Sequence, residues 1–490
     1  MKTGVTKLSQ FVESIYLPIV ICLLFFAAYS ILSIVRYNHY DSFGFDLGIN
    51  DQVVWQYSHF RAPISSINPH PGQPKLVEHV EFVYALVAPF YWIWSARRML
   101  ILVRTAFVCL SGIAVYLLAK KKRLNIWVCL ALVIGYLGFY GVQNDIWADV
   151  HSTDFAAGFL MWFIYFIDGN KTDLSMLFFL LSVTAKENIA SLTFLTSFVF
   201  FIQRRRKLFI ALMIMSIMYL LFIYFVYFPY IVQMKYPFAS SAGMFANLNP
   251  MSLVDSSENR QVIWYSLLSF GFLPLLSPLY LLPALGDLIV YFVFGTSVTG
   301  AQGLFGQYRI TLTPFLVWAV IMAIQRFKQL NSRYVAIYLL ICMLLVQYVL
   351  HLPLSYLSKK WFWTESPGVK NINTMIQSYL PNTASVVSQN NITSHISQRE
   401  AVYTLYPEKR SFPVNSPCGS STCDWFRWYD APKFLIVDLS PEWDARHLLT
   451  DRVPYIAGLK NLEAAHIITR YKVIGSTILY TVNQNPDTYK

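Results

Sequence analysis

LPIVICLLFFAAYSILSIV, residues 17–35, carries no charged side chain. As a helix it is about 28 Å long, the thickness of a bilayer's hydrocarbon core. It offers no polar face to water, so it reads as a membrane-spanning helix. Working outward, residues 99–119, 208–232 and 334–354 are apolar over a similar length, and 126–142, 155–167 and 311–324 are shorter candidates. Residues 173–202 would be about 45 Å as one helix, too long for a single crossing, with Lys186 and Glu187 in the middle. That predicts two short helices folded back at a charged turn. Residues 262–294, interrupted by Pro274, Pro278 and Pro283, also read as two helices. Composition agrees: 56% of the 490 residues are hydrophobic and 13% charged, about half the charge of a soluble protein. This excludes a disordered chain, a simple soluble enzyme and a secreted disulfide scaffold.

The net charge of +12 would suit a nucleic-acid partner only if the basic residues shared one exposed face. They are clustered instead at the ends of apolar runs: Lys120-Lys121-Lys122-Arg123, Arg204-Arg205-Arg206-Lys207 and Arg326 to Lys328. Under the positive-inside rule these are cytoplasmic anchors, and no nucleic-acid partner is expected. All three fall inside if 79–94 is a short helix lying on the outer surface, which gives about eleven crossings. The N-terminus is then cytoplasmic and the C-terminus outside. No small-residue cleavage site follows 17–35, so that segment is expected to remain as an anchor. Residues 36–98, 143–154, 233–260, 296–309 and the Lys186 turn come to the outer face. From about residue 355 apolar strands (384–387, 401–405, 433–437, 474–481) alternate with helices (371–380, 459–470). The expected fold is an α-helical polytopic membrane protein of the plasma membrane. It has a transmembrane domain over 1–354 and a small extracytoplasmic α/β domain over 355–490.

Chemistry is expected on the outer face. RYNHYDSFGFDLGINDQ holds Asp46 and Asp51, which on one helix point about 140° apart. Asp46 suits either a helix N-cap or a general base that takes a proton from an acceptor hydroxyl. QNDIWADVHSTDF gathers Asp145, Asp149, His151 and Asp154, a set suited to sugar hydroxyls or to a divalent metal such as Mg or Mn. His70, His79 and Glu81 are possible additions, as is the plain alternative of a solvated loop. In TAKENIA, an ionisable pair inside an apolar run requires a cavity. Lys186 there could neutralise a phosphate, with Glu187 as its partner. Arg104 and Arg309 are further cations, which could equally snorkel or pair with carboxylates. Cys418 and Cys423, in CGSSTC, are spaced for a small disulfide loop, while Cys22, Cys109, Cys129 and Cys342 lie in apolar runs as packing residues. There is no P-loop, GxGxxG after a strand, GxSxG or HExxH.

In order, FDLGINDQ, HVEFVYALVAPFYWI, VYLLAKKKR, DVHSTDF, TAKENIA, GFLPLLSPLYLLPALGDLIVYF and GQYRITLTPFL resemble the predicted membrane proteins grouped as domain of unknown function 2079. SVVSQNNITSHISQREAVYTLYP resembles the outer domain that often ends such chains. The chain reads FDLGINDQ, HVEF and KEN where the family tends to FDLGIFDQ, HFSP and KED, so no role is carried over to Asn188. The family is similar in layout to membrane glycosyltransferases of the C-type fold (GT-C). That resemblance implies Asp46 as catalytic base and Lys186 at a lipid-linked phosphate. The implied function is inverting transfer of a sugar from a polyprenyl-phosphate donor in the membrane lipid to an acceptor outside. Arg309 or Arg104 would assist at the phosphate, and Asp145, Asp149, His151, His79, Glu187 and Asp51 would serve the sugar or a metal. A transporter or flippase for a lipid or polar solute is the alternative, and an inactive scaffold a third.

Overall fold

The computed structural model describes residues 15–68, 74–234, 236, 249–293, 303–411 and 422–486. Among them helix dominates, and four helices are long and apolar enough to cross a membrane: Tyr16–Asn38, Arg97–Lys121, Ile126–Trp147 and Lys207–Val232. Six shorter apolar helices accompany them: Val83–Ile93, Thr172–Ala185, Ile189–Arg204, Pro278–Phe292, Ile310–Arg326 and Arg333–Val349. The four long spans are fewer than the eleven crossings expected. The run at 334–354 shows why: His351 takes a left-handed conformation and Pro353 has no N–H to continue the helix, which stops at Val349. The chain folds into two compact units. The first comprises residues 1–33, 76–86 and 101–358; the second comprises 34–75, 87–100 and 359–490.

The first unit is helical. The charged turn breaks 173–202 as its length required, into Thr172–Ala185 and Ile189–Arg204, with Lys186 in extended conformation between them. The ends of this pair return to one place. Asp168, almost fully buried, receives Lys121 Nζ at 2.8 Å, Lys122 Nζ at 2.6 Å and Arg204 Nη2 at 3.0 Å. Asn331, just past Arg326 to Lys328, donates to the Arg123 carbonyl at 3.2 Å. The three basic clusters thus gather at one end of this unit. The helices leaving that end are about 21–25 Å long, so residues at their far tips lie that distance away.

The second unit is built on a five-stranded sheet. With β1 (Val386–Ser388), β2 (Val402–Thr404), β3 (Tyr406–Ser411), β4 (Thr422–Arg427), β5 (Phe434–Asp438), β6 (Ile468–Ile474) and β7 (Thr477–Val482), its order is β2-β1-β5-β7-β6. β1 is parallel to β2 and β5, β7 is antiparallel to β5 and β6, and β3 and β4 form a separate hairpin. The α/β reading holds, with one shift. The helix expected at 459–470 runs Arg452–Ala464, and β6 occupies the residues after it. ITRYKVI is mostly exposed, so it lacks the apolar run that marks β5, and it turns into β7 through Gly475 at φ 56°. Cys423 is disulfide-bonded, whereas Cys22, Cys109, Cys129 and Cys342 are free and buried; Cys418 lies outside the described residues. The core joins strands and helices of the C-terminal residues to Tyr40, Ile49 and Ile67 of the first loop.

Candidate functional site

At the tips of the helical unit away from Asp168, a polar layer interrupts the apolar packing. Its centre is the turn after Ala185. Glu187 is fully buried and accepts from His79 Nδ1 at 2.8 Å, the Val80 N–H at 3.0 Å and the Tyr236 hydroxyl at 2.5 Å. Next to it, Glu81 accepts from Ser152 Oγ at 2.7 Å. Glu187 and His79, expected at a sugar or metal, therefore fasten residues 79–81 to the helical hairpin. The Lys186 side chain is half-buried and makes no hydrogen bond or ion pair with a described residue, although its charge is felt by Glu187. Glu187 is not its direct partner, because His79 and two neutral donors already occupy the carboxylate.

Arg309 is buried at the start of the helical stretch Ile310–Arg326, over the rings of Tyr291 and Phe292 at 5.0 Å each, with Nε donating to the Gly303 carbonyl. Its charge acts on Asp287, a buried carboxylate that also accepts from Thr311 Oγ1 at 2.9 Å. The Asn188 side chain lies near the Tyr291 hydroxyl, which brings the Lys186 turn close to the Arg309 group. Asp287, Tyr291 and Asn188 were absent from the residues expected at a site. The signal for Asp287 was available: a lone carboxylate in ALGDLIVYF, costly in an apolar run unless it has a partner.

Arg104 has the other role left open for it. Its Nη1 meets Asp154 Oδ2 at 3.2 Å and the Asp145 carbonyl at 3.1 Å, and its Nη2 meets Ser33 Oγ and the Ile146 carbonyl. It is 1% exposed and committed to the protein. Asp145 is fully buried beside Asp154, and neither of its carboxylate oxygens has a hydrogen-bond partner among the described residues. Asp149 is buried, and His151 Nδ1 meets the Asp149 carbonyl at 2.7 Å while its N–H donates to Asp154. Among the described residues no three His, Cys, Asp or Glu side chains converge as metal ligands; His70 lies outside them.

In the second unit, Asp46 is half-buried in a single wide turn of π-helix, Gly44–Gly48. That turn runs into the helix Ile49–Ser58, so Asp46 is not the N-cap, which is Gly48. Asp51 faces inward and is fully buried, accepting from Tyr91 and Ser397 at 2.5 Å each and from Gln398 at 3.1 Å. Burial pushes its carboxyl above the usual range, against the Arg97 charge and these three donors. Asp51 is an anchor between segments, and the 140° separation from Asp46 appears as one buried and one half-buried carboxylate.

Residues 36–428 match the model of the family described as predicted membrane protein, domain of unknown function 2079. The chain belongs to that family. No curated protein matches it. The matched span takes in parts of both units and every candidate residue from Asp46 to Arg309.

Proposed function

We propose that this family member is an integral membrane glycosyltransferase of GT-C layout, which transfers a sugar from a polyprenyl-phosphate donor to an acceptor outside the plasma membrane. The observation that carries the reading is Lys186: a half-buried cation at a break between two apolar helices, with no hydrogen-bonding partner among the described residues, beside a carboxylate already satisfied by others. Holding a charged side chain at that depth is costly, and an anionic ligand offsets the cost. The basic clusters at the opposite end support a cytoplasmic position for that end under the positive-inside rule, with the polar layer outside. In this reading the shorter helices complete about eleven crossings, and the C-terminal α/β residues are extracytoplasmic.

The acceptor hydroxyl attacks the anomeric carbon while Asp46 takes its proton. The bond from that carbon to the phosphate oxygen breaks, and the polyprenyl phosphate leaves with the electron pair. Lys186 and Arg309 stabilise the developing negative charge, an effect strengthened away from water. Asp149 and His151 are assigned to the sugar. Transfer that survives EDTA assigns them to hydroxyls, and transfer lost with EDTA and restored by Mg or Mn assigns them to a metal.

The test uses the purified full chain and a panel of radiolabelled polyprenyl-phosphate hexoses. Asp46→Asn is expected to abolish sugar release with donor binding intact. Lys186→Met is expected to weaken donor binding about tenfold or more, the worth of one charge-assisted hydrogen bond. Wild-type binding in the folded Lys186→Met variant would remove the phosphate site. One observation favours the transporter alternative, the fully buried Asp145 with both carboxylate oxygens unpartnered among the described residues and Asp154 beside it, a place where a proton can be held. Gradient-dependent flux in liposomes with no sugar release would select it.

A further inference from the structure

The carboxyl ends of parallel strands are where open α/β sheets hold their ligands. In the second unit those ends, Ser388 of β1 and Asp438 of β5, are occupied by the chain itself. The segment after β1, residues 389–399, is almost entirely buried although it is rich in amides and hydroxyls. Its polar atoms face two ways. Towards the sheet, Gln389 accepts from the Asp438 N–H at 3.1 Å, and Thr393 bonds Ser388 at 2.8 Å. Towards the first loop, Asn390 Oδ1 accepts the Gly44 N–H at 3.1 Å, and Ser394 Oγ donates to the Ser42 carbonyl at 2.8 Å.

Shape reinforces these bonds. A Cβ on Gly44 would lie 2.7 Å from Thr393 Cβ, and one on Gly48 would lie 3.4 Å from Ser394 Cα. Both glycines bounding the turn that holds Asp46 therefore press against residues 393 and 394. Two more contacts close the cradle: His395 stacks between the Tyr37 and Tyr40 rings at 4.0 and 3.6 Å, and Ser397 and Gln398 hold Asp51. Asn390 is itself fixed by donating to the Arg446 carbonyl at 3.0 Å.

We infer that Asn390 and Ser394 are positioning residues for Asp46, and that the C-terminal α/β domain is the seat of the reactive loop. The inference rests on the reading of Asp46 as the base. An amide and a hydroxyl suit this task because they fix the turn without adding a charge that would disturb the carboxylate. A base displaced by about 1 Å loses on the order of 100-fold in rate.

The test takes the full chain in detergent through hydrogen exchange and sugar release to water from tritiated undecaprenyl-phosphate glucose and its mannose and arabinose counterparts. Asn390→Ala and Ser394→Ala are expected to speed exchange in the peptide over residues 43–52 about tenfold, with β1 and β5 unchanged. They should also lower kcat about 10- to 100-fold with KM within about twofold. Asn390→Asp keeps the oxygen that accepts from Gly44 and should recover most of the protection. Gly44→Ala, which cannot seat against Thr393, should match the alanine variants. Unchanged exchange at 43–52 in both alanine variants overturns the cradle, whichever sugar the protein prefers. Faster exchange with unchanged kcat keeps the cradle, removes the positioning role and points the failure at Asp46 itself.

Discussion

The two units bury polar groups by different means. In the helical unit, charged groups meet: Arg104 with Asp154, and Asp168 with Lys121, Lys122 and Arg204, while the buried Glu187 accepts from His79. In the second unit, buried polarity is mostly amide and hydroxyl, from Ser388 through Ser397, and the fully buried carboxylate of Asp51 is met by Tyr91, Ser397 and Gln398. Opposite charges joined at helix ends lock long elements at one point. Neutral networks fix the path of a loop over many residues.

The largest effect expected from this contrast follows removal of one charge from each unit. Glu187→Gln removes a buried carboxylate that accepts from His79, the Val80 N–H and Tyr236 and should destabilise by about 3 kcal/mol. Asp51→Asn, where the hydroxyls of Tyr91 and Ser397 and the amide of Gln398 are all neutral donors, should cost about 1 kcal/mol. Denaturant or thermal unfolding in detergent measures both, and equal losses would break the comparison.

A smaller effect separates two carboxylates ten residues apart in the second unit. Burial raises Asp51. At Asp41 burial also works upward, but the bond to His447 and the charges of Arg36, His447 and Arg446 prevail and hold it below its usual range. For Asp51 the folded state binds more protons, so its contribution is full below about pH 3.8 and is lost as pH rises through the higher folded value. For Asp41 the contribution is present above about pH 3.8 and is lost as pH falls through the lower folded value. Melting temperatures from pH 3 to 7 should show the gap between wild type and Asp51→Asn narrowing upward in pH. The gap to Asp41→Asn should narrow downward. Parallel curves would refute the assignment.

The smallest effect concerns Asn331, whose amide ties the third basic cluster to Arg123. Asn331→Ala should lower stability by about 1 kcal/mol or less, because the contact is exposed. A loss as large as that of Glu187→Gln would mean that the basic end is held by this amide and not by Asp168.

Residues 17–35 and the basic runs were legible because length, apolarity and charge bias are local and additive along a helix. The break at Lys186 was legible for the same reason: 30 residues do not fit one crossing. β6 was not, because an exposed edge strand carries no buried face for the sequence to mark. The partners of charged residues were not legible either. Nothing in TAKENIA names His79 or Tyr236 as the groups that satisfy Glu187, and nothing near Arg104 chooses Asp154 over a ligand.

By itself, then, the sequence determined that this chain crosses a membrane, where its helices break and which end carries positive charge, since hydrophobic matching and charge bias depend on neighbours in the chain. Tertiary structure alone decided which ionisable groups are satisfied within the protein, that the half-buried Lys186 side chain has no hydrogen-bonding partner among the described residues, and that residues 390–394 hold a turn more than 340 positions earlier. Hydrogen bonds and close contacts at that separation depend on folding having brought the segments together, and no local pattern encodes them.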